Sequence, residues 1–462
     1  MSPAADGHCP QSGGAGDDTA GATSPGTAAT GATTHPTVAV TPLEGGVCAV
    51  PGVRAAGTVA GLKPSGKPDL ALVAADRVVS AWAVQTTNAV PAAPVQLTRQ
   101  HLAHTGGRAQ AVVANAGSAN ACTGADGLAT AQATAERTAG LLGCEPAEVL
   151  VCSTGVIGEP IDRQRLLQGL PRVVATREAS AQAAADATRA ISTTDTVVKQ
   201  ASVRATDERG ACVVGGLVKG SGMIAPELAT MLAVITTDAD VAPMALRSVV
   251  ADVCERTFGR ITVDECLSTN DAVVALATGT AASRCSMAAL TRGLEAVCGD
   301  LAEQVVRDGE GASRLLRVHV TGAAGDDDAV AVARKVAASD LVKTALAGGD
   351  PNWGRVVAAV GAAGAGGSGR DSDAGGSASD AGGPASAHPA HIDPQRLHVR
   401  FGDVTVCRDG VAAGFDQQRA AAQLAGPDVD CTIDLGLGTG AATVTTCDLT
   451  HGYVSINADY TT

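Results

Sequence analysis

The segment Lys219–Ala233 holds the most informative set of reactive side chains in this sequence. Its first half is a lysine followed by a flexible loop that contains two glycines. Its second half leads into an apolar run that predicts a strand, with the hydroxyl of Thr230 at the head of that strand. Composition alone favours an ordinary loop between a lysine and a strand, so the chemistry of the segment depends on what accompanies it.

Other candidate sites carry weaker signals. The glycines of Asp434–Ala442 resemble a dinucleotide-binding turn, but that turn needs a following helix whose N-terminus holds the pyrophosphate. Thr443–Cys447 has a β-pattern instead, which predicts a glycine-rich connection between two strands. None of the nine histidines forms a convincing Ser/His pair, and no cluster has the spacing of metal ligands, so we expect no metal site.

Composition excludes several classes of function. The chain is acidic, with a net charge of −14, and only 2% of its 462 residues are aromatic, which argues against nucleic-acid binding. The sequence contains no run of about 18 apolar residues, so we expect no membrane span. The N-terminal residues lack the pattern of a secretory signal. The 13 cysteines are scattered along the chain, which indicates that they serve as small buried apolar side chains in a reducing compartment. We therefore expect a cytoplasmic protein.

The elements that must position these residues are a mixture of helices and strands. Helices are predicted at Leu128–Leu142, capped by Asp126 and ended by Gly143, and at Pro243–Phe258, followed by Gly259. Strands are predicted at Ala71–Val73, Ala111–Val113, Met231–Thr237, Leu315–Thr321, Leu397–Phe401, Thr432–Leu435, Ala442–Cys447 and Tyr453–Asn457. Without a regular βαβ alternation, we expect a mixed, layered α/β fold and not a regular doubly wound parallel sheet.

Two tracts are too poor in large apolar side chains to offset the entropy of ordering them. Residues 1–36 are predicted to be a disordered tail. Residues 361–393 are predicted to be a low-complexity insertion, because sequence typical of folded structure resumes on both sides.

Lys219–Ala233 also resembles the signature of the ornithine acetyltransferases, the glutamate N-acetyltransferase family of arginine biosynthesis. The resemblance covers nearly everything from Val38 to Thr462 apart from the insertion, and its further blocks follow the family order. These blocks are Val53–Gly57, Gly61–Gly66, Asn115–Gly124, Ser153–Gly158, Thr193–Thr196, Ser268–Asp271, Asp308–Gly311, Asp350–Arg355, Cys447–Thr450 and Asn457–Thr462. One departure is Glu227-Leu228, where the family commonly has Asn-Met.

The resemblance implies that the chain cuts its own backbone between Ala229 and Thr230. The threonine hydroxyl would attack the preceding carbonyl in an N-to-O acyl shift. The cut frees the α-amine of Thr230, and an ordinary α-amine titrates near 7.7–8. That amine can act as the base for its own hydroxyl, so no histidine is needed. The resemblance thus implies an α chain of residues 37–229 and a β chain of residues 230–462.

The resemblance also assigns the rest of the site. Thr154 and Gly155 would stabilise the tetrahedral oxyanion through a hydroxyl and a backbone N–H. The residues implied to bind substrate are Thr193, Lys219, Thr230, Glu310, Asn457 and Thr462. Such a site suits N-acetylornithine and glutamate, because these substrates carry carboxylates and ammonium groups.

The implied reaction is a ping-pong acetyl transfer from N-acetylornithine to glutamate, with acetyl-CoA as a further donor in bifunctional members. No metal or prosthetic group is expected. Family members commonly assemble as two α and two β chains, which we carry over by resemblance.

Two alternatives remain open from the sequence. One is a self-cleaving N-terminal-nucleophile amidohydrolase or aminopeptidase, which would pass the acyl group to water. The other is a non-enzymatic binding protein that keeps the fold and an intact chain. The same motifs occur in monofunctional and bifunctional acetyltransferases, so the use of acetyl-CoA also stays open.

Overall fold

Two β-sheets organise the protein. The computed structural model describes residues 38–225, 231–282, 284–365 and 389–459, all of which lie in the unit that spans residues 37–462. The predicted tail at 1–36 lies outside the described residues, as do Ala229, Thr230 and Thr462.

The first sheet has nine strands and mixes parallel with antiparallel pairing. Its strands are β1 (Ala39–Pro42), β2 (Val53–Thr58), β3 (Leu70–Gln85), β4 (Arg108–Ser118), β5 (Val149–Val156), β6 (Lys199–Asp207), β7 (Gly210–Lys219), β8 (Leu232–Thr237) and β9 (Ala272–Ala277). The spatial order is β1-β6-β7-β8-β9-β3-β4-β5, with β2 paired to β3. The pairs β4–β5 and β8–β9 are parallel. The strands β8 and β9 therefore lie between β7 and β3.

Helices cover both faces of this sheet. They are α1 (Ala93–Thr105), α2 (Gly124–Leu142), α3 (Arg163–Ala175), α4 (Ala181–Ile191), α5 (Pro243–Arg256) and α6 (Met287–Arg307). In β8, Ala233 and Ile235 belong to the core that includes α5 and α6. Leu232 and Val234 belong to the core on the side of α4. Since successive side chains of a strand point to opposite faces, the continuous apolar run of β8 supplies both cores.

The second sheet has six strands. They are β10 (Leu315–Ala323), β11 (His398–Phe401), β12 (Val404–Arg408), β13 (Val411–Ala412), β14 (Asp428–Asp434) and β15 (Gly440–Cys447), in the spatial order β13-β12-β11-β14-β10-β15. The remaining helices are α7 (Asp326–Ala337), α8 (Asp340–Ala347), α9 (Trp353–Gly364), α10 (Gln417–Ala422) and α11 (His451–Asp459). Apolar residues of α7, α8, α9 and α10 share one core with this sheet.

This architecture confirms the expected mixed, layered α/β fold. The predicted strands other than Tyr453–Asn457 all fall on observed strands, although β3 is far longer than Ala71–Val73. The glycine-rich stretch after Asp434 connects β14 to β15, as predicted. Helix α9 runs through Gly364, four residues into the tract predicted to be an insertion, and residues 366–388 lie outside the described chain.

The prediction of a strand at Tyr453–Asn457 is wrong, because these residues belong to α11. The Asn457 side chain donates to the carbonyl of Tyr453, a contact four residues back that only a helical turn brings together. No residue of α11 is buried, so the short alternating pattern did not reflect a buried face.

Two helix boundaries also differ from the prediction. Helix α2 begins at Gly124 after Thr123, which places Asp126 inside the first turn instead of at the cap. Helix α5 ends at Arg256, and Phe258–Arg260 form a separate 3₁₀ turn that contains Gly259. Pattern rules locate helices more reliably than they locate the last turn.

Seven of the twelve cysteines that the structure describes are buried, and these twelve thiols are free. Among the described residues, no helix is both long and apolar enough to cross a membrane.

Candidate active site

Gly155 occupies a backbone position that only glycine fits. It lies near the end of β5 with φ of +129°, in the region that favours glycine. A Cβ atom there would lie 2.4 Å from the carbonyl carbon of Gly117 on the parallel strand β4. This close approach fixes the direction of the backbone next to Thr154, whose side chain is buried.

From the oxyanion role that the resemblance implies for Gly155, we predict that Gly155→Ala lowers acetyl transfer by about 10²–10³-fold, the usual cost of losing one oxyanion donor. The new methyl group would push β5 away from Gly117 and so turn the backbone of this residue. Turnover assays of the variant check this. Gly158→Ala is the control, since Gly158 also has a positive φ, of +89°, but a Cβ at that position would meet only open space. Equal losses in the two variants would contradict the prediction.

Lys219 and Thr154 meet although 65 residues separate them in the chain. Lys219 ends β7, is only 3% exposed, and donates from Nζ to Oγ1 of Thr154 over 3.3 Å. Burial lowers the pKa of Lys219, with Lys199 acting in the same direction, while Asp195 and Glu310 oppose the change. The ammonium group therefore lies beside the predicted oxyanion hydroxyl.

A buried ion network holds the loop that contains Thr193. The Asp195 carboxylate accepts hydrogen bonds from the backbone N–H of Thr193 at 3.1 Å and of Gly220 at 2.7 Å. It also pairs with Lys199, whose Nζ lies 2.6 Å away and which reaches Asp308 as well. Burial alone would raise the pKa of Asp195, but Lys219, Lys199 and these hydrogen bonds together lower it to about 2.

Glu310 and Asn457 are linked to the loop that follows Lys219. Asn457 Nδ2 donates to Oε2 of Glu310 over 2.8 Å. The backbone N–H of Glu310 donates to the carbonyl of Ser221, whose hydroxyl lies 2.7 Å from that of Thr194. A Cβ on Gly222 would lie 2.4 Å from the Glu310 carboxylate, so this glycine leaves room for that group.

The structure thus brings six of the predicted site residues into one connected set. These six are Thr154, Gly155, Thr193, Lys219, Glu310 and Asn457. The other predicted residues, Ala229, Thr230 and Thr462, lie outside the described part of the chain.

Sequence reasoning missed the ion network. Asp195 and Lys199 are four residues apart, a spacing that normally indicates a solvated pair on a helix surface. Here the lysine begins β6 and is fully buried. The apolar residues Val197 and Val198 between the two charges were the one available signal.

Asp271 is another buried carboxyl group, and the sequence alone gave it no individual role. It lies just before β9, and its Oδ1 accepts the N–H of Met231 over 3.1 Å. Its Oδ2 is buried and has no hydrogen-bond partner among the residues that the structure describes. Burial raises the pKa of Asp271 well above the ordinary range, although the Met231 N–H, Lys219 and Ser268 oppose this rise.

We predict that Asp271→Asn raises Tm relative to the unaltered protein by at least about 2 °C at pH 8, and by less at pH 5. Because folding raises the pKa of this carboxyl, the folded state binds a proton more tightly than the unfolded state. The contribution of Asp271 to stability is therefore lost as the pH rises above the ordinary aspartate range. Thermal unfolding at both pH values checks this, with the exposed Asp76→Asn as control. A Tm difference that does not change with pH would contradict the prediction.

Gly155 and Thr193 also line a cavity of about 870 Å³. Loop residues 61–65, 67 and 68, the segment Glu159–Asp162, and most of residues 192–198 form much of its wall. The cavity therefore adjoins the connected set of site residues.

Comparison with known proteins agrees with the resemblance. A family model described as the ArgJ family matches residues 54–462. The arginine biosynthesis bifunctional protein ArgJ of Mycolicibacterium paratuberculosis is 45% identical over 423 residues, which cover 90% of this chain and 96% of that protein. The protein of the same name from Thermosynechococcus vestitus is 44% identical over 442 residues, covering 91% and 99%.

A solved structure is also similar in sequence. The ornithine acetyltransferase of Mycobacterium tuberculosis, complexed with ornithine, is 40% identical over 42% of this chain and 100% of that chain, with a TM-score of 0.38. Since the family model spans most of the sequence and the two relatives align along almost their whole length, the chain belongs to the ArgJ family.

Proposed function

We propose that the protein transfers acetyl from N²-acetylornithine to glutamate in arginine biosynthesis and also acetylates glutamate from acetyl-CoA. It would thus be both a glutamate N-acetyltransferase and an amino-acid N-acetyltransferase, in keeping with the word bifunctional in its relatives' names. The observation that carries this proposal is the connected set of Thr154, Lys219, Glu310 and Asn457.

The nucleophile would be Thr230, generated by self-cleavage after Ala229. The cut gives an α chain of residues 1–229, in which residues 37–229 follow the predicted tail, and a β chain of residues 230–462. The freed amine removes the proton from the threonine hydroxyl, which attacks the acetyl carbonyl. The described chain resumes at Met231, whose N–H is held by Asp271, and this anchors the start of β8 next to the proposed nucleophile.

The other site residues would stabilise the oxyanion and bind the amino-acid substrates. Thr154 and Gly155 donate to the oxyanion of the tetrahedral intermediate, and the nearby Lys219 ammonium favours the same negative charge. Lys219 and Glu310 supply the cation and the anion that amino-acid carboxylates and ammonium groups need. Thr193, Asn457 and Thr462 complete the substrate site with hydroxyl, amide and backbone groups.

The cycle is ping-pong. Acetyl passes from N-acetylornithine to Thr230 with release of ornithine, and glutamate then takes it from the ester to give N-acetylglutamate. The same acetyl-enzyme forms from acetyl-CoA. This chemistry requires no metal and no bound prosthetic group. We further propose a cytoplasmic assembly of two α and two β chains.

A labelled-acetyl assay tests the function. The purified protein is incubated with glutamate and N-acetylornithine that carries a ¹³C-labelled acetyl group, and the products are followed by mass spectrometry. We expect labelled N-acetylglutamate and one equivalent of free ornithine. Labelled acetate without labelled N-acetylglutamate would instead identify the amidohydrolase alternative.

A further inference from the structure

The cavity beside Gly155 includes only Thr193 of the described residues proposed to bind the amino acids. Gly155 and Thr193 belong to its wall, whereas Lys219, Glu310 and Asn457 are not among its lining residues. Its volume of about 870 Å³ lies near the upper end of the 300–1,000 Å³ range of pockets for drug-sized ligands. The cavity is therefore larger than an amino-acid substrate needs.

The wall combines an apolar surface with exposed cations. Leu62, Val156, Ile161 and Val197 contribute apolar side chains, and Val197 is 53% exposed although it is aliphatic. An exposed aliphatic side chain inside a concave site is a typical contact for the apolar part of a ligand.

Three exposed basic residues line the same cavity, namely Lys67, Arg165 and Arg189. Arg165 pairs with Asp162 and Arg189 with Asp186, but the side chains in both pairs are 45–63% exposed. Arg165 also donates from Nη1 to the carbonyl of Gly61 over 2.9 Å. Because exposed ion pairs contribute little free energy, both guanidinium groups can exchange these partners for a ligand at small cost. Guanidinium and phosphate form strong, bidentate hydrogen bonds.

The loop of the cavity adds a further basic group. Lys63 donates from Nζ to the carbonyls of Pro68, Ala190 and Ser192, which keeps its ammonium in the wall. Burial, with Lys219 acting in the same direction, lowers its pKa to about 8.

Acidic residues also line the cavity, but two of the three have partners. Asp195 is neutralised by Lys199, and Asp162 caps α3 and pairs with Arg165. Glu159 is the acidic residue that remains. Once Asp195 is neutralised by Lys199, four basic residues line the cavity against two acidic ones, Glu159 and Asp162. In a chain with a net charge of −14, this local excess of positive charge favours an anionic ligand.

We propose that this cavity binds the carrier of an acyl thioester, a ligand with a long aliphatic arm and phosphate groups, the chemistry of acetyl-CoA. The phosphates would contact Lys67, Arg165 and Arg189, and the arm would follow the apolar wall to Gly155. The inference rests on the proposed function, because Thr230 is the acceptor. Its hydroxyl oxygen forms an ester bond to the acetyl carbon, the C–S bond breaks, and the hydroxyl proton passes through the α-amine to the leaving sulfur.

The test compares two acetyl donors in one enzyme. Lys67→Glu and Arg165→Glu are assayed with glutamate and either acetyl-CoA or N-acetylornithine. We expect KM for acetyl-CoA to rise roughly ten- to hundredfold, as for loss of a charge-assisted hydrogen bond, while kcat/KM for N-acetylornithine stays within about twofold. Higher salt should also raise KM for acetyl-CoA more than KM for N-acetylornithine.

The matched control is Arg419→Glu. Arg419 is 63% exposed and pairs with Asp403, as Arg165 is 63% exposed and pairs with Asp162, but it lies on α10 beside the second sheet. It should leave both donors unchanged. Equal effects on both donors, no effect of either cavity variant, or transfer from N-acetylornithine without any from acetyl-CoA would overturn the inference. Failure of both donors in the unaltered enzyme would instead overturn the proposed function itself.

Discussion

Replacing Thr230 with alanine is expected to leave one intact chain of 462 residues and to reduce acetyl transfer by at least about 10⁴-fold. Alanine lacks the hydroxyl that attacks the preceding carbonyl, so no cut occurs. Without a cut there is no α-amine, and without the hydroxyl there is no acetyl ester. A denaturing gel measures the first effect, and the labelled-acetyl assay measures the second.

Thr230→Ser is the matched control. It keeps the hydroxyl and, after cleavage, the α-amine, so the chain should still be cut and should still transfer acetyl, although more slowly. Transfer that survives in Thr230→Ala would contradict the assignment of the nucleophile. Cleavage at another bond in the unaltered protein would contradict the boundary between the two chains.

Replacing Lys199 with methionine is expected to destabilise the fold by about 3–5 kcal/mol, because it leaves two buried carboxylates without their cation. Asp195 and Asp308 both depend on this ammonium, and their side chains are only 1% and 6% exposed. Acetyl transfer should fall as well, since Asp195 holds both Thr193 and the Gly220 turn after Lys219. Chemical denaturation measures the stability, and the acetyl-transfer assay measures the activity.

A surface pair and a compensated variant sharpen this test. Arg256→Met breaks an ion pair with Glu295 whose arginine is 49% exposed, and it should cost at most about 1 kcal/mol. Adding Asp195→Asn and Asp308→Asn to Lys199→Met should recover part of the lost stability, because the uncompensated charges are then gone. If Lys199→Met cost no more than Arg256→Met, the network would not be important for stability.

The strands of the core were the most predictable feature. Apolar runs such as Leu232–Thr237 and Leu315–Ala323 report burial directly, and the structure places both inside sheets. The prediction of a strand at Tyr453–Asn457 was wrong. None of these side chains is buried, so their five-residue alternating pattern did not reflect packing against a core.

The candidate site was predictable only in part. The residues shared with the family motifs could be named from resemblance, but their contacts join distant segments, as between Thr154 and Lys219. The sequence did not assign a structural role to Lys199, because a lone lysine is normally solvated. Its position in the sequence also does not reveal which two carboxylates it contacts. The role of Asp271 depends on a buried oxygen that has no hydrogen-bond partner within the described part of the chain, and this arrangement exists only after folding.

The order of strands in the first sheet has a further consequence for a chain cut before Thr230. Strands β8 and β9 would then belong to one fragment while β7 and β3 on either side belong to the other. The sheet forms as a unimolecular reaction in the uncut precursor, but after the cut its re-formation requires two polypeptides to find each other. The mature protein would therefore depend on concentration to recover from unfolding, and its lifetime would be set by the rate at which the interleaved strands open.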